Sequence, residues 1–284
     1  MAVELRHLRC LVAVVEEGTL TDAGIALGVS QAAVSRTLAA LEAELDATLV
    51  RRTSRELAVT DVGATVLVHA RRVLAEADVL VREARSGHAT LRLGYAWSAL
   101  GRHTLPFQRR WAQVRPQTAL QLVRTHSPTA GLAEGTCPLS VVRTQPDARR
   151  YDSVVVGLER RFCALAADDP WARRRSIRLA EISDRTLLID DRTGTTTLSM
   201  WVEGERPATE PTNDVDDWLT VIATGRAVGV TAEATVSQYP RPGVVYRPIR
   251  DAEPIAVRLA WWRGERHPAT DTAVELASAL YREA

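Results

Sequence analysis

The side chains with recognisable chemistry cluster early in the chain. Ser30, Gln31, Ala33, Ser35 and Arg36 fall within one short stretch, and Arg51, Arg52, Arg55 and Thr60 follow closely. Their chemistry is hydrogen bonding, not bond making. Glutamine presents a donor beside an acceptor and arginine a fork of donors, suited to base edges and phosphates, and serine adds a hydroxyl. The groupings that covalent or metal chemistry needs are missing from the sequence. No GxSxG elbow or phosphate-cradling glycine loop occurs, and Cys10, Cys137 and Cys163 stand far apart with no CxxC pair or Cys/His cluster. The chain therefore reads as a non-enzyme without cofactor, metal or disulfide framework.

Helices must position this cluster. Residues 1–86 contain no proline and read as nearly continuous helix. The first helix spans about Leu5–Glu16, with Leu5, Leu8, Leu11, Val12 and Val15 at helical spacing. Thr21 is expected to cap a second, short helix that stops at Gly28, and Ser30 to cap a third from Gln31 to about Leu45. Val34, Leu38, Leu41 and Leu45 then turn inward, while Ala32, Ala33, Arg36 and Ala40 face outward or along the flank. Small outward residues let a helix backbone approach base edges, which Gln31, Ser35 and Arg36 would contact. This is a helix-turn-helix pattern. An ordinary helical hairpin with an alanine-rich surface is the alternative. Leu49–Thr60 reads as a two-stranded wing whose Arg51, Arg52 and Arg55 suit phosphate or minor-groove contact, with a solvated charged loop as the plainer reading of Arg55.

Thr60-Asp61 starts a long helix, Val62–Arg85, in which Leu67, Leu74 and Val81 repeat every seven residues and Ala70, Ala77 and Ala84 follow each by three. Such a seam predicts a dimerising helix, against the alternative of packing on its own domain. From Leu91 short β-like runs alternate with helical or Pro/Gly-containing stretches: Leu91–Trp97, Leu120–Val123, Leu139–Arg143, Ser153–Val156, Phe162–Ala166, Thr186–Ile189, Ala227–Thr231 and Ala256–Trp262. That alternation predicts an α/β domain with a largely parallel sheet, beginning near Ser86-Gly87-His88.

Bulk composition is uninformative about DNA. The 284 residues suffice for about two domains, and 36 basic residues, all arginine, oppose 35 acidic ones for a net charge of +1. Residues 1–90 hold 10 arginines and 12 acids, so binding to a polyanion must rest on placement. The apolar N-terminal run is broken by acidic residues, and no run of about 18 apolar residues occurs. A cytoplasmic protein with no membrane contact is expected.

Leu5–Leu67 resembles the DNA-binding region of LysR-type transcriptional regulators. The resemblance rests on Val12–Thr21, Ala23, Leu27, Val29-Ser30-Gln31, Ala33-Val34-Ser35-Arg36, Leu41-Glu42, Leu45, Leu49, Arg51-Arg52, Leu57, Thr60 and Gly63. Leu20 stands where phenylalanine is common, Gly24 for alanine, Ala32 for proline, Asp46 for glycine and Val50 for phenylalanine. Leu91–Gly94, Leu105-Pro106 and Leu259–Arg263 are similar to effector-domain landmarks.

The resemblance implies a winged helix-turn-helix domain (1–60), a linker and dimerisation helix (61–87), and a periplasmic-binding-protein-like α/β effector domain (88–284). Its subdomains are expected at about 91–160 with 256–284, and at 161–255. A cleft between them would present Ser98, Thr125, Ser127, Thr193, Thr195, Thr196 and Val230-Thr231, favouring a carboxylate or another small anion. Trp97 and Arg102 flank the first loop as an aromatic wall and a charge, with core packing the alternative for Trp97. The implied function is sequence-specific transcriptional regulation on double-stranded DNA, as a homodimer or homotetramer answering a small-molecule effector, with RNA polymerase as a further partner. A ligand-independent regulator acting through a protein partner, and a solute-binding receptor, are the alternatives.

Overall fold

A computed structural model describes residues 3–52, 57–86 and 89–283. The chain forms two compact units, the first built on residues 1–88 with 133–136, the second on the remainder.

In the first unit, helices α1 (Leu5–Glu17), α2 (Leu20–Leu27) and α3 (Gln31–Leu45) are followed by strands β1 (Val50–Arg52) and β2 (Leu57–Val59) and helix α4 (Asp61–Ser86). Leu8, Leu11, Val14, Val34, Leu38, Leu41 and Leu49 form one buried core, with Leu45 packed at its edge. The cap of α2 is Thr19, not Thr21. Its hydroxyl accepts from the Asp22 N–H at 3.0 Å. Thr19 stands three residues before Asp22, the spacing at which a cap side chain reaches an orphan N–H, whereas Thr21 is already helical. The turn between α2 and α3 runs through Gly28 at φ 68°, and the Val29 N–H bonds the Gly24 carbonyl at 2.9 Å. A Cβ on Gly24 would stand 2.8 Å from the Val29 carbonyl oxygen, which is why this crossing takes a residue without a side chain.

The expected seam on α4 divides. Leu67 and Ala70 are buried in the domain's own core and Leu74 packs beside them. Farther along, Val73, Leu80, Val81 and Ala84 are exposed and Ala77 is half-buried. Val73, Ala77, Leu80 and Ala84 alternate steps of four and three, and Val81 of the expected seam is exposed beside them.

The second unit holds two five-stranded sheets. One has the order β4 (Thr118–Arg124), β3 (Ala89–Tyr95), β5 (Leu139–Val142), β12 (Ile255–Trp262), β6 (Tyr151–Glu159). The other runs β11 (Val244–Pro248), β7 (Arg161–Ala166), β10 (Val228–Ala232), β8 (Leu187–Ile189), β9 (Thr209–Pro211). Helices α5 (Thr104–Val114) and α8 (Thr270–Arg282) pack on the first, with Phe107, Trp111, Ala273 and Ala277 against Leu93, Leu139 and Leu259. On the second, α6 (Val215–Ala223) lays Trp218 over Gly229, where a Cβ would meet the indole at 2.0 Å; the short α7 (Glu233–Gln238) follows β10 directly.

The expectation of largely parallel sheets is corrected. β3 pairs parallel with β4 and β5, and β8 with β9 and β10, but β12 pairs antiparallel with β5 and β6, and β7 with β10 and β11. The chain leaves the first sheet between β6 and β7 and returns between β11 and β12. Strands that carry it out and back run in opposite directions. The two strands without a sequence signal, β9 and β11, are the edges of the second sheet; each ends in proline, which an edge tolerates.

Asp46 holds the left-handed C-cap of α3 at φ 46°, and its charge sits at the negative end of the helix. Asp46→Gly is expected to raise the unfolding free energy by about 0.5–1.5 kcal/mol, read by chemical denaturation; a loss of stability would refute the strain.

Candidate functional site

On the first unit, α3 turns Gln31, Ala32, Arg36, Ala39 and Ala40 to solvent over the buried Val34, Leu38 and Leu41, with Ala33 and Ser35 half-buried on the flank. Ser30 sits at the helix start, its hydroxyl accepting from the Ala33 N–H at 3.2 Å. The wing is held to this helix by Glu42, whose carboxylate accepts from the N–H groups of Leu49 and Val50 at 2.7 and 3.2 Å. Register pairs Arg51 with Ala58 and leaves Arg51 exposed. Arg55 and the side chain of Arg52 lie outside the described residues. Thr60 caps α4: its hydroxyl accepts from the Gly63 N–H at 2.9 Å and donates to the Thr48 carbonyl at 2.7 Å.

In the second unit a cleft opens between the two sheets. Ser98, Thr193, Thr195, Thr196, Val230 and Thr231 line it, and so does Trp97, which meets Trp218 edge-on at 5.7 Å. Thr125 and Ser127 do not line it. Ser127 is buried and pairs with the Thr129 hydroxyl at 3.0 Å, leaving Pro128 at the wall. Arg102 faces another way, toward Glu233 at 3.6 Å. Hydroxyls link the walls: Thr231 donates to Thr235 at 2.7 Å, and Thr235 stands 3.4 Å from Ser98.

Three residues of this region were not singled out from sequence. Asp190 ends the apolar run of β8 and is buried at the cavity wall, accepting from the N–H groups of Arg192 and Thr193 at 2.9 and 3.2 Å and from the Thr193 hydroxyl. Arg143, one residue past β5, also lines the cavity, and it forms a bidentate pair with Glu159, the last residue of β6, at 2.9 and 3.0 Å. The same guanidinium donates to the carbonyls of Ser98 and Ala99 at 2.6 and 2.7 Å. Glu159 further accepts from the Tyr281 hydroxyl at 2.7 Å. Burial alone raises the Glu159 carboxyl, but the charge and hydrogen bonds of Arg143, with those of Tyr281 and the Ala234 N–H, outweigh it and hold it below the ordinary range. The available signal was a single charge closing an apolar run.

Residues 84–281 match the family described as LysR substrate binding domain, and residues 5–64 the bacterial regulatory helix-turn-helix protein, lysR family. The chain belongs to the LysR family. It is a DNA-binding transcriptional regulator with an effector-binding domain, not an enzyme. A small neutral protease regulatory protein of Streptomyces coelicolor is 32% identical over 308 residues, 99% of this chain and 92% of that protein. Full-length CbnR solved with its target DNA has the same fold, with a TM-score of 0.66 at 21% identity over 98% of this chain and 99% of that one. So does an H2O2-bound cysteine mutant of Corynebacterium glutamicum OxyR, at 0.56 and 19% over 100% and 96%. In this LysR-family chain no cysteine is among the described residues that line the cleft. Cys10, Cys137 and Cys163 are buried, and burial pushes the Cys163 thiol up to about 12, leaving it protonated. No single helix among the described residues is long and apolar enough to cross a membrane.

Because the Glu159 carboxyl is held low, its contribution to stability is present above its ordinary value of 4.5 and is lost as pH falls through the lowered one. Glu159→Gln is expected to cost about 3–5 kcal/mol near neutrality, since Arg143 is left buried and unpaired. The gap between wild type and variant should narrow on acidification, as denaturation midpoints across pH will show; a gap independent of pH would refute the pairing.

Proposed function

We propose that this LysR-type regulator binds a pseudo-palindromic DNA site as a homodimer, or as a homotetramer of two such pairs, and answers a small molecule held between the two sheets of its effector domain. In this reading residues 1–60 contact DNA, residues 61–87 join the subunits and residues 88–284 hold the effector. Gln31, Ser35 and Arg36 meet base edges or phosphates in the major groove, with the backbone at Ser30 and Ala33 brought close by small side chains. Arg51, Arg52 and Arg55 meet the flanking backbone, and Thr60 keeps the wing against α4. The observation that carries this is the polar, alanine-rich outer face of α3 beside the exposed Arg51.

The dimer follows from the stripe Val73, Ala77, Leu80 and Ala84, apolar and turned to solvent along α4. Effector contacts fall to Ser98, Thr193, Thr195 and the wall at Val230. Ligand binding shifts the two sheets relative to each other and with them the spacing of the DNA-binding heads. RNA polymerase is the partner through which such a shift would reach transcription.

A mobility-shift assay on the DNA flanking the gene tests this reading, and no specific retardation at moderate salt would overturn it. Arg36→Ala is expected to cost about 1–3 kcal/mol of specific binding, whereas Arg51→Ala should weaken all sequences alike and reduce the salt slope by about one. Leu80→Asp should lower the mass seen by sedimentation without unfolding the chain; an unchanged mass would remove α4 as the joint.

A further inference from the structure

Resting on the effector reading above, we propose that the cleft recognises a cationic effector, a small organic ammonium compound, rather than the carboxylate expected from its hydroxyls. The charge inventory of the wall decides this. Two charged side chains among the described residues line the cavity, Arg143 and Asp190. Arg143 is spent: Glu159 neutralises it through two bonds, and its remaining donors reach the Ser98 and Ala99 carbonyls. It offers an incoming anion no uncompensated charge.

Asp190 is different. It is 6% exposed, and all three of its donors are neutral: two backbone N–H groups and the Thr193 hydroxyl. Arg192, the nearest arginine in sequence, sends its guanidinium to the Asn213 carbonyl at 3.1 Å. No salt bridge among the described residues reaches Asp190. A carboxylate with no counter-cation at the wall of a sheltered cavity attracts a cation and repels an anion, more strongly than either would be felt in water.

The aromatic corner acts in the same direction. Trp97 and Trp218 both line the cavity, their rings meeting edge-on at 5.7 Å. Indole faces attract ammonium groups. The hydroxyls of Thr193 and Thr196 are already turned to Asp190 and to the Val230 carbonyl, the latter at 2.8 Å, and the neutral hydroxyls of Thr144 and Thr195 serve an ammonium group as acceptors as readily as they serve an anion as donors. A carboxylate and two tryptophan rings, with no free cation among the described residues of the wall, form an ammonium site.

Benzylamine, benzyl alcohol and benzoate share one ring and differ in charge, so they serve as probes. With the full-length protein, calorimetry and thermal shift should show benzylamine binding at least 10-fold more tightly than benzyl alcohol, with benzoate weaker still. Asp190→Asn keeps an oxygen to accept from the Arg192 and Thr193 N–H groups but removes the charge, and should erase that preference. Trp97→Leu should weaken benzylamine several-fold more than benzyl alcohol. Tighter binding of benzoate, or a benzylamine preference that survives Asp190→Asn, would overturn the cationic class while leaving an effector cleft in place. No binding by any of the three would overturn the proposal, while DNA binding is judged separately by mobility shift.

Discussion

The buried pair of Arg143 and Glu159 is the interaction on which the effector domain most depends. It stands where the chain passes from one sheet to the other, with Glu159 ending β6 two residues before β7 begins. Through it the ends of β5 and β6, the carbonyls after β3, the Tyr281 hydroxyl of α8 and the first turn of α7 are fastened at one point. Such a pair adds little net stability compared with an apolar replacement, but losing one member strands a charge in the interior. Its value lies in geometry. A bidentate fork tolerates few arrangements, so the crossing point is held.

The cleft inherits its character from that arrangement. Because Arg143 is committed to Glu159 and to backbone carbonyls, the cavity keeps an arginine in its wall without keeping its charge. The hydroxyls of Thr193, Thr196, Thr231 and Thr235 are likewise engaged with the protein itself, shaping the loop after β8 and the start of α7. The three cysteines are buried, and burial keeps the Cys163 thiol protonated near neutrality.

The first unit was largely legible in sequence, because its contacts are local. Helical spacing placed Leu8, Leu11, Val34, Leu38 and Leu41 inward, and glycine marked the turn. Where the reading slipped, a tertiary contact had intervened. Thr19 rather than Thr21 caps α2 because the cap is chosen by the first helical residue. Leu67, Ala70 and Leu74 of the expected α4 seam pack in the core of their own domain. A heptad pattern records which positions are apolar and is silent about which neighbour covers them.

Sequence by itself determined the helix-turn-helix and the α/β character of the second unit, since each follows from periodicity or from residue types at short spacing. Tertiary structure alone decided the antiparallel pairing at the two chain crossings, the edge strands β9 and β11, and the meeting of Arg143 and Glu159 with Tyr281, which stands 122 positions beyond Glu159. It also decided that Arg143 meets Glu159 at the cleft wall, while no salt bridge among the described residues reaches Asp190 there. Charge balance at a site depends on which partners arrive there from distant elements, and short-range pattern does not carry that information.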